Sequence, residues 1–260
     1  MILRRPFFGR RNFIGEIMIL YYVRHGDPIY EPDSLTELGH KQAAALAKRF
    51  ALYGLDEVYS SPSNRAMLTA KPTCDALGLE MKICDWAHEV LAGADTGFHD
   101  KDGKFHWCFT EREFVEKFND PSVRAMGMEW YKHEIFKDMP FEKGMKRIYA
   151  AVDEFLLSLG YKHDRENCCY CKVGKSPEKV ALFAHGGAGV MILSAILNIP
   201  YPYFATHFAP LSTTGVAVIG FGTGVGGDEA RIYPQLFQYS NDSHLYKEDL
   251  ITKDNNVMKI

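Results

Sequence analysis

No stretch of this chain approaches the roughly 20 consecutive apolar residues that a membrane-spanning helix requires, so it reads as a soluble globular protein with no membrane partner. Cysteine is scarce. Six in 260 residues are too few for a disulfide scaffold, which points to reduced thiols and a cytoplasmic location. Neither sign of charge dominates: 30 Lys and Arg stand against 33 Asp and Glu, for a net charge of −3. That balance offers no global field for nucleic acid or an anionic membrane. Repeats and low-complexity tracts are absent as well. What is plentiful is apolar and aromatic material, 47% and 13% of the residues, with many aromatics between Phe98 and Tyr170. A chain of this length and content can bury a sizeable core as one large domain or two small ones.

Three motifs that would redirect the reading fail on context. Cys168-Cys169-Tyr170-Cys171 lacks zinc-site spacing and no second ligand pair follows, so three reduced thiols on an irregular segment are expected. His185-Gly186-Gly187 is akin to a lipase oxyanion loop, yet the chain has no Gly-x-Ser-x-Gly elbow. Gly222-Thr223-Gly224-Val225-Gly226-Gly227 spells a dinucleotide fingerprint, but Asp228 to Gln238 reads as strand where that fingerprint needs a helix. It is expected to be a hairpin turn. Neither a cofactor nor a metal is expected.

Residues 1–17 carry Arg4, Arg5, Arg10 and Arg11 and have the outward look of a targeting segment. An apolar region and a small-residue cleavage site should follow, and instead a core strand begins. The expectation is an upstream extension, then a folded chain over 18–250 and a tail over 251–260.

Within that chain, Ile19-Leu20-Tyr21-Tyr22-Val23 is an apolar, β-branched and aromatic run, read as a buried strand. Strong helix formers follow through Phe50 until Gly54. Glu57–Ser60 reads as strand, about Pro62 to Leu77 as helix, and Met81–Cys84 as a third strand. This alternation implies right-handed crossovers. The expected fold class is therefore α/β: a three-layer α/β/α sandwich with a mostly parallel central sheet. The rhythm breaks over about 93–140, a loop-rich aromatic insertion read as a cap or lid. It carries a turn signal at Asp100–Lys104 and short helices near Glu111–Phe118 and Val123–Lys132. Phe141–Leu159 reads as an amphipathic helix with Ile148, Val152, Phe155, Leu156 and Leu159 on one side. Val180–Ala184 then reads as strand, Ala188–Leu197 as helix, and Gly215–Phe221 and Ala230–Gln238 as strands.

The polar residues fall where chemistry would want them. Arg24 and His25 end one strand, His185 ends another, and Arg65 opens a helix after a third. In open α/β sheets ligands bind at that edge. Two guanidiniums, two imidazoles and helix N-termini would suit a phosphate dianion. Taken singly, each has a plainer reading: a strand-end pair, a helix-capping Arg, a satisfied buried His.

Together the landmarks carry a likeness. Val23-Arg24-His25-Gly26, Leu35-Thr36-Glu37-Leu38-Gly39-His40-Lys41-Gln42-Ala43, Tyr59-Ser60-Ser61-Pro62-Ser63-Asn64-Arg65-Ala66, Glu89 and Ala184-His185-Gly186 stand in one order. In this the chain resembles the histidine phosphatase superfamily, also called phosphoglycerate mutase-like, and specifically its phosphatase branch. The likeness spans Met18 to about Leu245 and leaves most of the insertion uncovered.

The resemblance implies that His25 attacks phosphorus in line and becomes a phosphohistidine. Arg24, Arg65 and His185 would hold the phosphoryl oxygens, with Gly186 and Asp27 beside the substrate. Glu89 would protonate the leaving alkoxide and then activate water. A surface glutamate is the plainer reading of Glu89, and Asp27, His88 and Asp95 are alternative acids. His207 and His244 are candidates to border the pocket, with structural roles as the plainer alternative. For His25 to attack, one ring nitrogen must be bare and the other pinned as a donor, expected to a backbone carbonyl.

The implied activity is metal-independent hydrolysis of a small phosphorylated metabolite, with the phosphoester and inorganic phosphate as the partners. Two departures argue against a mutase. Glu31 stands where family mutases carry an Asn, and Val90-Leu91-Ala92-Gly93 follows Glu89 where they carry Arg and Tyr before a Gly. Mutase-type phosphoryl transfer and a non-catalytic phosphate-binding module are the alternatives. Oligomeric state leaves no trace in the sequence.

Overall fold

The computed structural model describes residues 18–222 and 231–250. The expected extension over 1–17, the tail over 251–260 and the turn at 223–230 lie outside the described residues. Six strands form the central sheet. They are β1 (Met18–Arg24), β2 (Glu57–Ser60), β3 (Met81–Ile83), β4 (Lys179–Ala184), β5 (Val216–Phe221) and β6 (Gln235–Asn241). The spatial order is β6-β5-β1-β4-β2-β3. β1, β4, β2 and β3 run parallel, while β5 is antiparallel to both β1 and β6.

The period of two along β1 decides the layers. Met18, Leu20 and Tyr22 face one hydrophobic cluster, and Tyr21 and Val23 face the other. Along β4, Val180, Leu182 and Ala184 join the first, and Ala181 and Phe183 the second. Helices α1 (Glu37–Tyr53) and α2 (Asn64–Leu77) cover the second face with Leu46, Phe50, Ala70 and Cys74. Three more helices, α3 (Glu89–Thr96), α4 (Phe141–Ser158) and α5 (Gly186–Leu197), pack on the first. The molecule is thus a mixed α/β protein with a mostly parallel sheet between two helical layers, as expected. Each fully buried Leu, Val or Phe in these clusters contributes about 1.5–3 kcal/mol of transfer free energy.

Local signals did what their chemistry implies. Thr36 caps α1 by accepting from the Gly39 N–H at 3.0 Å, and Gly54 ends it at φ 72°. The five expected apolar positions of α4 are all 5% exposed or less. Other expectations need correction. α3 runs to Thr96, so the chain stays helical past residue 93. α5 begins at Gly186 rather than Ala188, because His185 already has extended backbone and serves as the N-cap residue. β6 begins at Gln235, since Ile232 instead bridges to Tyr170. The cysteine segment is a regular hairpin, Tyr161–Asp164 with Cys169–Lys172, and not irregular chain. All six cysteines are free.

Residues 97–140 comprise the hairpin Gly97–His99 with Phe105–Trp107 and a series of short helices. Its aromatics divide. Phe118, Trp130 and Phe136 are buried against Phe141 and Tyr201 as a local core. Phe98, Phe105, Trp107 and Phe109 instead line a cavity.

Candidate active site

Parallel register assembles the site. Arg24 pairs with Ala184, so the next residue on each strand, His25 and His185, leaves the sheet side by side. Their rings lie 5.3 Å apart. Phe183 pairs with Ser60, which delivers Ser61 to the same edge with its hydroxyl 2.8 Å from His185 Nε2.

His25 is 1% exposed, and its Nδ1 lies 2.7 Å from the Gly26 carbonyl. A carbonyl only accepts, so Nδ1 carries the proton and Nε2 is left bare. Burial, and after it the Arg24 charge, pulls the His25 pKa down to about 3. The imidazole is therefore neutral near neutral pH. The loop is pinned by Gly26 N–H donating to Thr69 Oγ1 at 2.9 Å and Thr214 N–H donating to the His25 carbonyl at 3.2 Å. A Cβ at Gly26 would stand 2.8 Å from the Gly39 carbonyl, so the turn needs glycine.

Around this nitrogen stand the cations. Arg24 Nη1 donates to the Leu211 carbonyl at 2.6 Å, and its Nε is buried with no partner. Arg65 donates through Nη1 to Asp33 Oδ1 at 2.7 Å and through Nη2 to Glu89 Oε2 at 3.0 Å, with Nε again unpartnered. Buried donors without acceptors are costly unless a ligand completes them. Asp33 also accepts from the Asn64 N–H at 2.7 Å, so one carboxylate both caps α2 and orients Arg65.

Glu89 opens α3, and its Oε1 accepts from the Gly187 N–H in the first turn of α5 at 3.1 Å. A carboxylate thus already sits on a helix N-terminus, where anions are favoured. His185 is fully buried, with Nδ1 3.5 Å from Glu89 Oε2 and its carbonyl taking a 2.7 Å hydrogen bond from the Tyr22 hydroxyl. Burial first, then the nearby His25 and Arg65, holds its pKa well below the usual histidine value.

Arg24, His25, Arg65, Glu89 and Gly186 line one cavity of about 1080 Å³, with His185 directly behind them. The other expected residues fall elsewhere. Asp27 is outside the lining, and its carboxylate accepts from the Thr36 hydroxyl at 2.8 Å, so its expected substrate contact is not what the side chain is doing. Asp95 is buried against Arg147 at 2.8 Å, spent as an ion-pair partner. His88 accepts from the Val90 N–H at 3.1 Å as the α3 cap, and its ring stacks 6.3 Å from His185. His207 is exposed and off the cavity. His244 is buried beneath the site, 3.0 Å from Thr214 Oγ1, with burial pulling its pKa down to about 4.

His25, Glu89 and His185 each offer a ligand atom, all within 4.8 Å of one another. Two imidazoles and a carboxylate form a donor set that a transition metal accepts. Here, however, a guanidinium already neutralises Glu89 and a second flanks His25, which opposes a cation and suits an oxyanion.

Sequence reasoning missed Asp33, Tyr22, Thr69 and Trp107. Asp33 sits in a proline-marked loop and Tyr22 inside an apolar run, so neither carries a local signal. Only the tertiary pairing reveals them.

The fold is a mixed α/β one that gathers two histidines, two arginines and a glutamate at the carboxyl edge of its parallel sheet. The model of the Histidine phosphatase superfamily (branch 1) matches residues 20–131. Over these residues the chain is similar to that superfamily, and the likeness is to enzymes of the phosphatase type. The chain is 26% identical over 153 residues to the Putative phosphoserine phosphatase 2 of Hydrogenobacter thermophilus, covering 55% of this chain and 68% of that one. Among solved structures, a mycobacterial glucosyl-3-phosphoglycerate phosphatase matches with TM-score 0.54 and 19% identity, over 86% of this chain and 99% of that one. A phosphoglycerate mutase from Bacillus anthracis matches with TM-score 0.55 and 15% identity, over 92% and 100%. At such identities the solved structures speak for the fold alone.

Proposed function

We propose that this chain is a metal-independent phosphomonoester hydrolase that works through a phosphohistidine on His25 and acts on a small phosphorylated metabolite. The observation that carries the reading is the bare, neutral Nε2 of His25, set among two arginines whose buried Nε donors lack partners. In the first step the Nε2 lone pair forms a bond to phosphorus as the bond to the leaving oxygen breaks. Glu89, an ionised carboxylate in the free protein, takes the proton of a bound phosphoester monoanion and gives it to that oxygen. In the second step water attacks phosphorus, the P–N bond breaks, and Glu89 takes the proton back from the water. Arg24, Arg65 and His185 meet the charge spread over the phosphoryl oxygens. The relative's name, phosphoserine phosphatase, supports a phosphoester ligand. Free cysteines suit a reducing cytoplasm.

Hydrolysis of p-nitrophenyl phosphate tests this. Turnover should survive EDTA, vanish in His25→Ala, and leave an acid-labile phosphoryl label on His25 after a rapid quench. Loss of turnover with EDTA would overturn metal independence. No turnover between about pH 5 and 8 would leave a phosphate-binding module. Conversion of 3-phosphoglycerate in the presence of 2,3-bisphosphoglycerate would show a mutase instead.

A further inference from the structure

The wall opposite the phosphate end has a composition of its own. Val90, Phe98, Phe105, Trp107 and Phe109 face the cavity, with His99 and Thr110 among them, while Tyr30 lies over the Arg65 guanidinium at 5.4 Å. Phe105 and Trp107 alternate along one strand, which turns both toward the same side. His106 between them is held away, at 2.8 Å from both Asp100 Oδ2 and Glu111 Oε1. Ring centroids run 5.1 Å from Phe105 to Trp107 and 5.5 Å from Trp107 to Phe109, a continuous aromatic surface.

Glycines make room for it. A Cβ on Gly97 would lie 2.4 Å from the Phe105 ring, and one on Gly187 2.3 Å from the Trp107 indole. Because the Gly187 N–H also holds Glu89, the aromatic wall reaches up to the proposed acid. Charge is distributed the other way. Among the described residues lining the cavity there is no lysine and no arginine besides Arg24 and Arg65. Arg65 already neutralises Asp33 and Glu89. A carboxylate or second phosphate on the organic part of a substrate would meet mainly rings, with the His99 imidazole and the Thr110 hydroxyl the polar groups among them, and would lose much of its hydration there.

We propose that the organic group of the preferred substrate is apolar and ring-sized, with no second anionic group. This rests on the phosphatase reading and specifies its substrate class. It departs from phosphoserine, the substrate in the relative's name, because on this wall a substrate carboxylate would find only His99 and the Tyr30 and Thr110 hydroxyls among apolar rings, and no guanidinium or ammonium.

The test compares esters of unactivated alcohols, so that leaving-group chemistry does not decide the outcome. We expect kcat/KM for 2-phenylethyl phosphate to exceed that for sn-glycerol 3-phosphate and phosphoserine by about tenfold or more, the gain from burying one ring. Phe105→Ala and Phe98→Ala should each shrink that ratio severalfold, chiefly through KM. A ratio at or below one in the unaltered enzyme would overturn the proposal, as would a ratio unmoved in both variants. Calorimetry with 2-phenylethylphosphonate against ethylphosphonate reads the same wall without turnover. Equal affinities would overturn the proposal even in an active enzyme. Tighter phenylethyl binding with no hydrolysis of any ester would support the wall while refuting the phosphatase reading.

Discussion

The two ends of the cavity are built by different means. At the end that holds His25, polar side chains leave the ends of adjacent parallel strands and the first turns of two helices, and strand register sets His25 beside His185. At the far wall, rings from one short hairpin and its flanks are placed by packing against glycines and against each other. The first region is over-determined: His25 is held through its own ring, its carbonyl and the next amide. The second depends on a hairpin whose Phe105 is 40% exposed. Such an arrangement lets one chemistry serve different organic groups by changing the wall and leaving the strand ends alone.

Substitutions that separate the two regions should differ in kind as well as size. The largest effect belongs to the nucleophile: His25→Ala should lower kcat by about 10⁵-fold or more on every ester, with no phosphoryl label recovered. Glu89→Gln comes next. It should cost alkyl esters about 10²–10⁴-fold, and p-nitrophenyl phosphate far less at the first step, because that leaving group needs no proton. A pre-steady-state burst of p-nitrophenol would then mark the stalled second step, and equal losses on both ester types would remove Glu89 from the acid role.

Asp33→Asn should raise the Ki for inorganic phosphate and lower kcat/KM by about tenfold, alike for all esters, because it loosens Arg65 rather than the wall. If it changed the ratio between phenylethyl and glycerol esters, the separation of the two regions would fail.

The smallest effect concerns stability. His25, His185 and His244 all have lowered pKa values in the folded chain. The unfolded chain therefore binds more protons below about pH 6.5, and stability contributed above that pH is lost as pH falls toward the folded values of about 3 for His25 and about 4 for His244. Each such group adds a slope of up to about 1.4 kcal/mol per pH unit within its window. His244→Gln, which touches neither end of the cavity, should flatten the fall in Tm between pH 6.5 and 4.5, and an unchanged slope would show that His244 does not titrate this way.

Where local chemistry leaves one answer, the chain could be read directly. The apolar runs of β1 and β4 were legible as buried strands, Gly54 marked the end of α1, and the five apolar positions read along α4 and at Leu159 just after it came out buried. Arg24, His25, Arg65 and His185 could be named as candidates because each ends a strand or opens a helix, whereas Glu89 was named only through the family resemblance. Boundaries next to glycine were harder. α5 starts at Gly186 and α3 persists through Gly93, since tertiary packing on the sheet outweighs the weak helix propensity of glycine.

The order of residues along this polypeptide therefore determined an α/β sheet, its helical layers and a set of imidazole and guanidinium side chains at the strand ends and a helix start. Local backbone periodicity and side-chain functionality are properties of the chain itself. Only the tertiary structure decided which carboxylate orients Arg65, that Asp27 and Asp95 are engaged elsewhere, and which aromatics face the cavity rather than the core. Those outcomes depend largely on pairings between residues dozens of positions apart, such as Asp33 with Arg65 and Trp107 with Gly187. Long-range packing sets them, and no short window of sequence carries that information.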